Sequence, residues 1–105
     1  ITLVALDDAT ADALVAQYPY YTKTVIPAGT YDGVTSDVAT VSVMAMIVAT
    51  DKLTDEQGYN ITKAIFANLD RIAAAHAVGK LISKEGAMKG MPLTMNAGAE
   101  KALKE

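Results

Sequence analysis

The chain has 105 residues, 12 acids, 9 bases, one histidine and no cysteine, for a net charge of −3. That length holds one small domain or a piece of a larger protein. The missing thiols exclude disulfides, thiolate zinc sites, iron–sulfur clusters and cysteine nucleophiles. An apolar share of 51% with 20% charged residues is globular and not disordered. No basic run exceeds one residue, which argues against a nucleic-acid surface. Residues 1–52 carry −4 and residues 53–105 carry +1, the pattern of ordinary solvated faces. The longest apolar stretch, Val38–Ala49, is broken by Thr40 and Ser42 and falls far short of the ~20 residues of a membrane-spanning helix. The opening ITLVALDDAT has neither a basic n-region nor a cleavage site, so an export signal, if there is one, lies upstream.

In chain order, Thr2–Leu6 is β-rich and alternates weakly, which predicts a short strand. Asp7 or Asp8 caps a helix over Ala9–Tyr18, because a carboxylate there accepts free backbone N–H groups. Ala11, Leu14, Val15 and Tyr18 share one face of it, and Pro19 ends it. Thr24–Tyr31 (TVIPAGTY) is strand-like, but Pro27 lacks a ladder donor and Gly29 weakens a strand. The run therefore lies at an edge, in a bulge or across two bodies. Asp32-Gly33 is a turn signal. Thr40–Ala49 (TVSVMAMIVA) reads as a strand buried on both faces. Thr54 and Gln57 form a capping box before the clearest helix, carried by Tyr59, Ile61, Ile65, Leu69 and Ile72. Gly58 in its first turn costs about 1 kcal/mol relative to Ala. A further helical stretch runs through His76 toward Ile82. Ser83 caps a short helix ending by Gly90, and Asn96 caps a last helix over Ala97–Lys104. The order β-α-β-β-α-α-α-α is an α/β pattern.

Few constellations carry chemistry. His76 stands four residues after Ile72 and seven after Leu69, on an apolar helical stripe, where packing explains it. No G-x-S-x-G elbow accompanies it, and no partner ligands stand at metal-binding spacing. Asp7-Asp8 and Asp55-Glu56 are explained by capping. Asn60-Ile61-Thr62 matches a glycosylation sequon but lies inside a helix. The five Met residues read as core fillers.

The segments IPAGTYDG, TVSVMAMIVAT, TDEQGYNITKAIFANLDRIAAAHAVGKLIS and GMPLTMNAGAEKALKE form a connected pattern. It resembles the C-terminal part of the TAXI-family solute-binding receptors of tripartite ATP-independent periplasmic (TRAP) transporters. The resemblance covers nearly the whole chain and is most specific at Ile26–Tyr31, Tyr59–Leu69 and Gly98–Lys101. It implies an α/β fold, part of a type II periplasmic-binding-protein-like body with a mixed sheet flanked by helices. About residues 1–31 would come from one lobe plus the hinge, and 32–105 would supply the returning strand and C-terminal helices. Similar receptors usually end in something like P-L-H-P-G-A-E-K-Y-Y-K-E. Here Met95-Asn96 replace His-Pro, and Ala102-Leu103 replace two Tyr, which removes aromatic area from the last helix. Larger residues are also usual where Gly58 and Gly86 stand.

The resemblance implies a non-enzymatic receptor with no cofactor and no metal. It would capture a small organic anion or amino acid in the periplasm and deliver it to membrane permease subunits. In such a receptor Pro27 and Gly29 suit a hinge, since Pro fixes φ and Gly permits close backbone approach; the other reading of these two residues is a surface bend. The implied ligand contacts are Thr30 and Tyr31, with Thr40 and Ser42 from the returning strand. The first lobe would lie upstream, with its signal peptide. A strand at Thr40–Ala49 without its sheet neighbours is an open edge, so self-association of this chain is expected. The competing class is a small self-associating interaction domain without transport function.

Overall fold

The computed structural model describes all 105 residues. They fall into two compact units, residues 1–45 with 90–92 and residues 46–89 with 93–105. The first unit is a helix on a β-hairpin. Helix α1 spans Asp8–Gln17 and is capped by Asp7, whose Oδ1 accepts the Thr10 N–H at 2.9 Å. Strands β1 (Tyr21–Ile26) and β2 (Val38–Val43) pair antiparallel, with Thr24 opposite Thr40 and Thr22 opposite Ser42. Lys23 ties the hairpin to α1 through Asp8 and Asp12, at 2.8 and 2.9 Å. Ala11, Val34 and Val38 are the buried residues of this unit's core.

The second unit is helical. Helix α2 (Asp55–Phe66) begins at a complete capping box. The Thr54 Oγ1 accepts the Gln57 N–H, and the Thr54 N–H donates to Gln57 Oε1 at 3.0 Å. Helix α3 (Leu69–Ala75) is followed by a 3₁₀ turn over Ala77–Leu81, then α4 (Lys84–Ala87) and α5 (Ala97–Lys104). Ser83 caps α4 and Asn96 caps α5 through side-chain oxygens. Helix α5 lies on α2 along a seam of small residues. A Cβ at Gly98 would overlap the carbonyl oxygen of Asp55 and stand 2.9 Å from the Tyr59 nitrogen. A Cβ at Gly58 would run into the Asn96 side chain, its Cγ 2.6 Å away. Ala102 is 1% exposed in the same seam. Gly58 is therefore no misfit, and the docking of α5 does not need the aromatic area absent at Ala102 and Leu103. Backbone proximity supplies the contact in place of side-chain bulk.

The α/β class expected from the sequence is what the structure shows. Several elements differ within it. Residues 1–7 form no strand; a single backbone bond, Leu6 N–H to Ala39 O at 2.9 Å, lays them beside β2. The sheet is one antiparallel pair. Strand β1 stops at Ile26, where Pro27 removes the next donor. Strand β2 stops at Val43 and is not buried on both faces, because β1 has no residue beyond Tyr21 to pair with Met44. Met44, Met46 and Met88 are exposed and so are not core fillers. His76 is also exposed. It lies at the break between α3 and the 3₁₀ turn, where its Nδ1 accepts the Val78 N–H at 3.2 Å. Beyond the break Gly79 is buried against α3, where a Cβ would stand 2.9 Å from the backbone of Ile72 and Ala73.

Candidate functional site

The loop from Pro27 to Asp37 joins β1 to β2 and holds itself by its own backbone. The Gly29 N–H donates to Val34 O at 2.8 Å, the Thr30 N–H to Pro27 O at 3.2 Å, and the Val34 N–H to Tyr31 O at 3.1 Å. The Asp37 carboxylate accepts the Ala28 N–H at 2.8 Å and closes the loop at its base. Gly29 and Gly33 have φ of +78° and +83°, which L side chains rarely adopt, so the turns require glycine there. Pro27 opens this loop and Gly29 turns it. Thr30 donates its hydroxyl proton back to Pro27 O at 2.7 Å, so toward any ligand it is left as an acceptor. The Tyr31 ring is 47% exposed at the loop's tip region, and its hydroxyl makes no protein hydrogen bond among those of the side chains.

Thr40 and Ser42 project from the same face of β2, two residues apart. Ser42 sits across from Thr22, their hydroxyl oxygens 3.4 Å apart. Thr40 lines an open groove of about 380 Å³ with Leu6, Ala11, Lys23, Thr24 and Val25. Thr30, Tyr31 and Ser42 do not line it. The four hydroxyl residues singled out in the sequence thus occupy three places: the loop, the groove and the Thr22–Ser42 pair. A smaller groove of about 160 Å³ is lined by Thr2, Gly33, Val34, Thr35 and Ser36.

Lys23 was missed as a site residue. Its ammonium is held above its usual range by the hydrogen bonds to Asp8 and then Asp12. The i, i+4 spacing of those two aspartates on one helix face was the available signal. Lys23 is the one base among residues 1–51, and both carboxylates hold it at the groove's rim. Asp7 is held below the usual carboxylate range by the Thr10 N–H and hydroxyl, which fits a cap.

In the helical unit a polar cluster sits between α2 and the end of α5. The Tyr59 hydroxyl donates to Glu105 at 2.7 Å, Lys63 reaches the same oxygen at 3.3 Å, and Lys63 and Lys101 stand 5.7 and 5.5 Å from the Tyr59 ring centre. The groups satisfy one another, and the cluster is a clasp between helices.

Across residues 1–105 the chain matches the family model described as the NMT1-like family.

Proposed function

We propose, starting from the fact that the chain belongs to the NMT1-like family, that it is the C-terminal portion of a TAXI-type receptor of a TRAP transporter. The family is related to periplasmic solute-binding proteins, which gives the coarse reading of solute binding. The finer reading rests on the IPAGTY loop. It is a pre-formed turn that exposes a tyrosine hydroxyl and needs two glycines at positive φ. Five internal hydrogen bonds fix its one geometry. Held in that geometry, Tyr31 loses little conformational freedom on meeting a ligand.

In this reading the receptor works in the periplasm, takes up a small organic acid or amino acid and passes it to membrane permease subunits. Residues 1–31 belong to one lobe and its hinge at Pro27 and Gly29, and residues 32–105 return to complete the receptor. Tyr31 and Thr30 face the solute from the loop, while Thr40 in the groove and Ser42 beside Thr22 stand apart from them on β2. The protein performs no catalysis.

The test is calorimetry on the full-length receptor. Tyr31→Phe weakens solute binding by about 0.5–1.5 kcal/mol, one hydrogen bond's worth. His76→Ala leaves binding within error, because His76 lies on the other compact unit from the loop. Unchanged affinity for Tyr31→Phe, or a large loss for His76→Ala, would place the site on another segment.

A further inference from the structure

The chain has no cysteine and a single histidine, so its soft donor atoms are the thioether sulfurs of five methionines. Within the first compact unit, the fold brings two of these residues together. Met44 follows directly on the end of β2, and Gly90-Met91-Pro92 pack into the same unit from far along the chain. The Met44 side chain lies against the Gly90 backbone. A Cβ on that glycine would stand 3.1 Å from Met44 Cγ, 3.9 Å from Met44 Cβ and 2.6 Å from Thr22 Cγ2. Gly90 also has φ at +62°, so the turn and the close approach both require glycine there. Met91 comes next, its Cα about 3.8 Å from that of Gly90. Pro92 then restricts Met91 to extended backbone. Met44 is 39% exposed, so it is not a packed core side chain. Methionine is unbranched, with a sulfur three bonds from its Cα and free rotation along the way. Both sulfurs therefore reach one point beside Gly90.

We propose that Met44 and Met91 form a site for a soft monovalent cation, copper(I) or silver(I). The donor chemistry selects this class. A thioether is neutral and polarizable, and it carries no proton that a metal must displace. Calcium and magnesium require oxygen donors, and zinc takes thiolate, imidazole and carboxylate; thioethers suit copper(I). Silver(I) has the same charge and the same closed d shell, and both ions accept as few as two donors. The turn supplies the positioning. Gly90 lets the Met44 side chain lie close to the segment that carries Met91, and Pro92 fixes the backbone from which Met91 extends. This site departs from the metal-free expectation for the chain, and it does not rest on the receptor reading.

Titration of the purified chain with silver nitrate in chloride-free buffer tests it, followed by the methionine methyl signals in carbon–proton NMR and by calorimetry. The Met44 and Met91 methyls should shift together and saturate at one equivalent, and zinc(II) should shift neither. Met44→Leu and Met91→Leu conserve volume, so the fold should hold, and each should weaken binding roughly tenfold or more. Gly90→Ala keeps all five sulfurs and pushes Met44 aside, so it too should weaken binding. Met95→Leu, in the other unit, and His76→Ala should leave the two shifts as they are. Far-UV circular dichroism verifies the fold of each variant. Silver that shifts all five methionines alike, binding that survives the Met44→Leu/Met91→Leu double variant, or loss of the shifts in His76→Ala would overturn the proposal.

Discussion

Replacing Gly98 with Ala probes what holds the two longest-range helices of the second unit together. A new Cβ there would overlap the carbonyl oxygen of Asp55, lie 2.5 Å from its carbonyl carbon and 2.9 Å from the Tyr59 nitrogen. All three are backbone atoms at the start of α2, where the Thr54 capping box fixes the chain, so the wall cannot yield. Helix α5 has to lift away. Alanine favours the helix by about 1 kcal/mol over glycine. Against that stands an overpacking cost of about 1–3 kcal/mol or more, with further loss as Ala102 is pulled out of the seam. The net expectation, with the loss at Ala102 included, is destabilisation by about 1–2 kcal/mol. For a domain this small, that lowers the melting temperature by roughly 5–15 °C. Urea unfolding and thermal melts followed at 222 nm check it. Gly58→Ala gives the internal comparison, because its obstacle is the Asn96 side chain, which can swing aside at the loss of the α5 cap. That loss is about 1 kcal/mol, so Gly58→Ala should be the milder change. If Gly98→Ala is as stable as the parent, the close backbone approach does not exist in solution and the reasoning fails.

Other perturbations separate the local devices. Gly29→Ala meets no neighbour within 4 Å, so its cost is that of φ at +78° alone, about 1–2 kcal/mol in the same unfolding assay. Glu105 is held below its ordinary value of 4.5 by the Tyr59 hydroxyl and then Lys63. A depressed carboxylate stabilises the fold above its unfolded value, and that contribution disappears as pH falls through the folded value. Amide exchange at α5 should therefore rise below about pH 4.5, and Glu105→Gln should remove that pH dependence; exchange that is flat across the window contradicts the clasp. Lys23 has the opposite sign. Its raised value means that its pairing with the ionised Asp8 and Asp12 stabilises the fold at neutral pH, and that contribution is lost on the alkaline side as pH rises above 10.5 through the folded value. Stability that falls between pH 7 and 9 would need another group.

The helix starts were legible because caps are local. Asp7, Thr54 with Gln57, Ser83 and Asn96 each accept a backbone N–H three residues on, and four adjacent letters are enough to read that. Strand extents were not, because a ladder depends on a partner elsewhere in the chain. Thr2–Leu6 and residues 44–49 have strand composition, yet Thr2–Leu6 makes only the single Leu6 N–H bond to β2, and residues 44–49 lie beyond the end of the β1–β2 ladder. The seam of α2 on α5 was read backward. Gly58 scored as a weak helix former, and its purpose shows only when Asn96, 38 residues later, is placed against it. His76 was misplaced for a related reason: α3 ends at Ala75 and the chain folds back so that Gly79 lies close to the Ile72–Ala73 backbone, an arrangement periodicity does not encode. At the candidate site, the turn chemistry of Pro27, Gly29 and Gly33 was readable, since φ restrictions belong to single residues. Which hydroxyls remain free was not, because Thr30 is occupied by Pro27 O only once the turn has closed.

That closure also limits what this part of the protein can offer a solute. The N–H groups of Ala28, Gly29, Thr30 and Val34 are all spent inside the loop, and so is the Thr30 hydroxyl proton. Residues 24–51 contain no Lys, Arg or His, and Lys23 is already held by two carboxylates. A carboxylate arriving at the loop finds no cation there, and Tyr31 is the one side chain of the loop's tip with a hydroxyl proton still to give. An ammonium or hydroxyl group finds acceptors: the Thr30 oxygen, and the exposed Asp32 carboxylate one residue beyond Tyr31. Residues 24–51 offer no cationic side chain to meet a negative charge on a solute. In the proposed receptor Tyr31 would then orient the solute, through a single directed hydrogen bond from a loop whose geometry is fixed in advance.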